Sequence, residues 1–151
     1  MYLLDTNILS HTAPTQRKPN AELVGWLRRN GDHCYLSAVT VLEISYGAAW
    51  LARKGSMRKA AGLQSWIRRV LAGHRDRILA VDEKVALRGG ELMALARGSG
   101  IEVDVEDAMI AACAEIHGMI VLTGNTRHFA PMGVAHIDPF AALPPDASAR
   151  V

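Results

Sequence analysis

Short apolar runs and longer stretches of helical periodicity alternate along the chain. Residues 1–4, 34–38, 77–81, 119–123 and 134–137 are apolar runs of strand length. Between them, residues 21–29, 40–52, 56–72, 83–97 and 106–117 carry apolar positions at helical spacing, as Leu63, Ile67, Val70 and Leu71 illustrate. Asn30 and Gly31 close the first of these segments, Gly73 the third, and Gly118 stands where a helix ends on a left-handed residue. A polar loop with Pro14 and Pro19 follows the first strand, and residues 98–100 break the chain before the last long helix. Strands separated by helices predict a parallel sheet covered on both faces.

With 151 residues, 50% hydrophobic and 21% charged, the chain holds enough apolar material for one core and is short for two, so a single domain over residues 1–151 is expected. Cys34 and Cys113 lie far apart without metal-ligand spacing, and no charged segment leading into an apolar stretch and cleavage site opens the chain. Both features fit a reducing, cytoplasmic setting. No apolar run approaches the ~18 residues of a membrane span.

The net charge of +2 conceals a strong local bias. Residues 53–77 hold Arg53, Lys54, Arg58, Lys59, Arg68, Arg69, Arg75 and Arg77 against Asp76 alone. Clustered cations attract phosphate backbones by counterion release, which makes nucleic acid the first partner to consider; a solvated helix face is the plain alternative.

Open α/β sheets bind ligands outside the carboxyl ends of their strands. Asp5, which stops the first apolar run, sits at such an end, and so does the polar group Thr123, Gly124, Asn125 and Thr126. Glu43 lies among apolar residues in LSAVTVLEISYG, where a carboxylate is costly unless paired or bound to a cation. Thr40 and Glu43 also have capping-box spacing, with Val39 and Ile44 placed as a hydrophobic staple, so Glu43 has a purely structural reading too. Likewise Asp104 is placed to cap a helix and Asp107 to complement its dipole as the third helical residue. Yet Asp5, Glu43 and the Asp104–Asp107 cluster each fall at a strand end or helix start that the fold brings to one sheet edge. Gathered carboxylates repel and raise one another's proton affinity, a cost a cation relieves. Oxygen donors without Cys or His suit Mg²⁺ or Mn²⁺ better than Zn²⁺.

Three stretches, LLDTNILS, LSAVTVLEISYG, and DAMIAACAEIHGMIVLTGNTRHF with GVAHIDPF behind it, resemble a PIN domain, and specifically a VapC-type toxin ribonuclease. The resemblance spans almost the whole chain in the family's order. It implies a three-layer α/β/α fold with a central, mostly parallel sheet of about five strands. It also implies an acidic pocket that holds Mg²⁺ or Mn²⁺ and cleaves RNA, usually in a homodimer neutralised by a cognate antitoxin. The family's first acid falls on Asp5, its helical glutamate on Glu43, the acid before its IAA motif on Asp107, and its fourth polar position on Asn125; Asp104 matches less well. Where many relatives read Thr-Arg-Asn-x-x-Asp, this chain has Gly124 in place of the arginine and His128 in place of the second acid. The helices around Gly47 and Leu51 to Leu71 correspond to the family's dimer face and antitoxin groove.

The mechanism expected from this cluster has Asp5 and Asp107 holding the ion, Glu43 orienting a water or a second ion, and Asn125 supporting the pocket by hydrogen bonding. Thr6 and Asn7 are placed either to fix the Asp5 carboxylate or to make ordinary turn bonds. His128 reads as a surface-loop residue, with contact to a scissile phosphate as the sharper alternative. A haloacid-dehalogenase type of phosphotransferase also places an acid after its first strand, but its second Asp, two residues on, is here Asn7. The remaining rival is an RNA- or partner-binding module that retains the pocket without turnover.

Overall fold

In the computed structural model, which describes residues 1–146, the first apolar run forms β1 (Tyr2–Leu4). Alternate residues point to opposite faces of a strand, so Tyr2 and Leu4 join one hydrophobic cluster while Leu3 joins the other. The remaining strands are β2 (Cys34–Ser37), β3 (Ile78–Leu79), β4 (Ile120–Leu122) and β5 (His136–Ile137). The helices are α1 (Thr6–Leu9), α2 (Ala21–Arg29), α3 (Ala38–Arg53), α4 (Met57–Gly73), α5 (Glu83–Gly98), α6 (Val105–Ile116) and α7 (Thr126–Phe129).

All the strand pairings are parallel, and the order across the sheet is β3-β2-β1-β4-β5. The expected α/β architecture with five strands is therefore present. One face is covered by α5 and α6, whose Leu92, Ala96, Ala108, Ile110 and Ala111 are fully buried with Leu3 and Val121. The other is covered by α2, α3 and α4, where Leu23, Trp26, Ile44, Leu63, Trp66 and Ile67 pack on Tyr2, Leu4, Leu36 and Leu122. Small side chains let α6 lie close to its neighbours: a Cβ on Gly89 would stand 3.6 Å from the Ala108 carbonyl oxygen. Gly118, with φ +61°, ends α6 in the left-handed region and turns the chain into β4.

Two differences from the sequence reading bear on the sheet edge at Asp5. Residues 6–9, read as turn or loop, form the single-turn helix α1, continued by a 3₁₀ turn at Ser10–Thr12. Helix α3 begins at Ala38 rather than at residue 40. Its N-cap is Ser37, whose hydroxyl accepts from the Val39 N–H at 3.2 Å. Thr40 is buried inside the first turn and donates to the Leu4 carbonyl at 3.4 Å, so Thr40 and Glu43 are not a capping box. Among the described residues no helix is long and apolar enough to cross a membrane.

Candidate functional site

The centre of the sheet ends at Asp5. Its N–H donates to the Leu122 carbonyl at 3.0 Å, the last rung between β1 and β4, and its own carbonyl accepts from Ile8 and Leu9 as α1 begins. The backbone polar groups are thus used, and the side chain is held at the strand end with only 4% exposure. Oδ2 of Asp5 accepts from the Asn7 amide and, at 2.7 Å, from the hydroxyl of Thr123, the residue that follows β4. Thr123 Oγ1 in turn accepts from the Asn125 N–H at 2.9 Å, and Asn7 Oδ1 from the Gly124 N–H at 3.1 Å. Two sequence-distant strand ends are therefore laced into one rim.

Glu43 projects from the second turn of α3 and accepts from the Thr6 hydroxyl. Asp107 comes from the first turn of α6. Its Oδ2 accepts from His128 Nδ1–H at 2.6 Å and from Asn125 Nδ2 at 3.2 Å. With Nδ1–H directed at Asp107, the 2.8 Å approach of Asn125 Nδ2 to that nitrogen brings two donors together, and the carboxylate is the acceptor they share. Asp104 occupies the N-cap position of α6, but its side chain caps no helix N–H. Ligating atoms of Asp104, Asp107 and His128 lie within 4.8 Å of one another.

Burial pushes the Asp5 carboxyl above its ordinary value; the Thr123 bond opposes the shift and the Asp107 charge adds to it. Glu43 is raised first by burial, offset by the Thr6 bond, and then by the charges of Asp5, Asp107 and Glu106. Asp5, Glu43 and Asp107 are thus close enough to repel, though Asp5 and Glu43 stand outside the tight Asp104–Asp107–His128 group. Oxygen donors gathered at a cost of mutual repulsion fit a hard divalent cation, which offers charge to all of them at once.

A PIN domain family model matches residues 2–133 of this chain. The chain belongs to the PIN-domain family. Toxin FitB of Neisseria gonorrhoeae is 35% identical over 144 residues, 93% of this chain and 99% of that protein. VapC ribonuclease Y4jK of Sinorhizobium fredii is 33% identical over 141 residues, covering 93% and 98% respectively. A crystal structure of FitAcB from Neisseria gonorrhoeae superposes with a TM-score of 0.81 at 34% identity, covering 93% of this chain and 99% of that one.

Within this PIN domain, Asp5, Glu43, Asp107 and Asn125 reach the same rim from β1, α3, α6 and the loop after β4. Of the two residues behind Asp5, Asn7 binds its carboxylate, while the Thr6 hydroxyl goes to Glu43. His128 is no surface-loop residue: α7 turns its side chain inward to 14% exposure against Asp107. The sequence placed Thr123 and Gly124 at this rim, but not the bond from the Thr123 hydroxyl to Asp5 or the reason for Gly124. A Cβ at Gly124 would stand 2.8 Å from Cε2 of Phe140, whose ring lies 4.9 Å from that of His11. In this PIN domain an aromatic ring occupies the space a side chain at position 124 would need.

Proposed function

We propose that this PIN domain, one domain over the whole chain, is a divalent-metal-dependent endoribonuclease and the toxin of a toxin–antitoxin pair. The observation that carries this reading is the convergence of Asp5, Glu43 and Asp107 from three separate elements, with Asp5 and Glu43 shifted toward the protonated form. The names of the relatives Toxin FitB and VapC ribonuclease Y4jK support it.

Asp5 and Asp107 would hold Mg²⁺ or Mn²⁺, because carboxylate oxygens at a sheet edge match those hard ions. When bound, the ion supplies Lewis-acid stabilisation of charge on the phosphoryl oxygens. The protein's own groups set the geometry. Thr123 and Asn7 fix the Asp5 carboxylate, and Asn125 fixes Asp107. Glu43, its proton affinity raised, is positioned by Thr6 to orient the attacking water and accept its proton, or to help hold a second ion. His128 donates to Asp107 where many relatives carry another acid, which keeps the negative charge of the site lower by one. The expected partners are an RNA substrate, an antitoxin and a second copy of the chain, in the cytoplasm.

The test is cleavage of total cellular RNA by the purified chain, freed of co-purifying protein, in Mg²⁺, Mn²⁺ or EDTA, beside Asp5→Asn. Products that need metal and vanish in the variant support the nuclease. A wild type as inert as a folded Asp5→Asn, still binding RNA, overturns it in favour of a binding module.

A further inference from the structure

The segment after β5 returns to the edge of the sheet where Asp5 stands. β5 is parallel to β4, so both strands end at the same edge, and Thr123 N–H donates to the Ile137 carbonyl at 3.0 Å. Three residues on, Cε2 and Cδ2 of Phe140 lie 2.8 and 3.0 Å from where a Gly124 Cβ would stand, with Asn7 Oδ1 3.7 Å from the same point. Asn7 thus connects the ring to the acidic rim. Its Oδ1 accepts the Gly124 N–H at 3.1 Å while its amide binds the Asp5 carboxylate.

The segment fixes Phe140 at this place. Asp138 Oδ1 accepts the Phe140 N–H at 2.9 Å, and the Asp138 carbonyl accepts from Ala141 and Ala142 at 3.2 Å, which makes a tight turn. Beyond the turn, Leu143 packs against the cluster that holds Tyr2 and Trp26. The Tyr2 hydroxyl donates to the Pro145 carbonyl at 3.4 Å, and Asn30 Nδ2 donates to Asp146 at 2.7 Å. The His11 ring backs Phe140 at 4.9 Å and 53°, itself held by the Asn20 N–H that its Nδ1 accepts at 3.2 Å.

Burial does not account for so much anchoring, because Phe140 remains 41% exposed. The ring carries no charge or hydrogen-bond donor for a phosphate; what its open side takes is another flat π-system. Beside carboxylates that gather a cation, and through it a phosphate, the flat group that arrives with the phosphate is a nucleobase. Bases locked in a duplex cannot reach such a ring, whereas unpaired ones can be splayed onto it.

We propose that Phe140, backed by His11, is a substrate-binding residue that stacks the unpaired base next to the scissile phosphate. Every base has a π face, so the contact selects single-stranded nucleotides and not one base. The placement of the scissile bond rests on the nuclease reading; the stacking contact does not.

The test is fluorescence anisotropy of a labelled single-stranded RNA of ~12 nucleotides, titrated with the full chain in Ca²⁺ and in EDTA, beside an abasic strand with the same number of phosphates. Phe140→Leu keeps apolar bulk without a π face, and Phe140→Tyr keeps the ring; circular dichroism checks both folds. Phe140→Leu is expected to bind the intact strand about tenfold more weakly and the abasic strand within about twofold of wild type. Phe140→Tyr is expected to match wild type on both. In Mn²⁺, cleavage by Phe140→Leu should show KM raised about tenfold with kcat within about threefold of wild type, the mark of a contact made before the chemical step. Equal losses on intact and abasic strands, a Phe140→Tyr as weak as Phe140→Leu, or no RNA binding by wild type in either buffer overturn the proposal. So does a Phe140→Leu that binds the intact strand as tightly as wild type, since the ring is then left to a protein partner. A chain that loses intact-strand binding in Phe140→Leu yet never cuts RNA refutes the nuclease alone. One that cuts RNA with the same KM in Phe140→Leu as in wild type refutes the stacking alone.

Discussion

The Thr123 hydroxyl donates to the Asp5 carboxylate at 2.7 Å, joining residues 118 positions apart in the chain and adjacent in the sheet. Thr123 is fully buried and also accepts the Asn125 N–H, so one oxygen orients both the first acid and the loop carrying the fourth polar group. Thr123→Val keeps the shape and removes that oxygen. The variant is expected to fold with a stability loss of about 1–3 kcal/mol and to bind Mg²⁺ about 10–100-fold more weakly by calorimetry, with RNA cleavage reduced to match. Unchanged Mg²⁺ affinity would remove Thr123 from the site.

The shifts at Asp5 and Glu43 predict an inverted pH dependence of stability in EDTA. Both folded carboxyls bind their protons more tightly than their ordinary values of 3.8 and 4.5. Between each ordinary value and the raised folded one, the folded state holds more protons, so stability falls as pH rises through that window. Asp5→Asn is uncharged throughout and removes its share of the slope. Melting curves from pH 4 to 8 should therefore be flatter for Asp5→Asn, with a higher melting temperature than wild type at pH 8. Added Mg²⁺ should raise wild type and leave the variant nearly unmoved.

On helix α3 the cap and the candidate-site acid are different residues. Ser37→Ala removes the real N-cap and is expected to cost about 1 kcal/mol in urea unfolding. Glu43→Gln keeps an acceptor for Thr6 and removes a half-buried charge, so its metal-free stability should equal or exceed wild type while RNA cleavage is lost. A capping-box partner would behave the other way, losing stability and keeping turnover.

Gly124 and Phe140 should be coupled. Gly124→Ala forces the Phe140 ring away from its 2.8 Å approach and off His11. Since the ring is the end of a partly exposed side chain, the expected cost is about 1 kcal/mol. In Phe140→Ala the same change should cost almost nothing, giving a coupling of at least about 0.5 kcal/mol in a double-mutant cycle. Additive costs would show that the ring does not demand the glycine.

Long elements and strand-end acids were legible in the sequence because their signals are local. The period of α4, the apolar run of β1 with its polar stop at Asp5, and that of β4 with its stop at Thr123 are each carried by residues close together in the chain. The short elements were not. Helix α7 has four residues, fewer than a periodic pattern needs, so the inward turn of His128 is set by Phe129 packing in the core and by Asp107 across the rim. Thr40 and Ser37 both suit an N-cap, and Thr40 is drawn inside the helix by a bond to Leu4 that only the sheet brings near.

The place of β1 in the middle of the sheet also governs when this molecule is finished on the ribosome. β1 precedes its partner β4 by more than a hundred residues, so the strand that leads to Asp5 keeps one edge open until Ile120–Leu122 is made. At about 5–20 residues per second that interval lasts several seconds to tens of seconds. Thr123, Asn125 and His128 arrive still later, which leaves an unfinished or prematurely released chain with its first carboxylate untethered and no assembled centre. Synthesis order alone thus keeps the carboxylate rim unassembled until Thr123, Asn125 and His128 have left the tunnel.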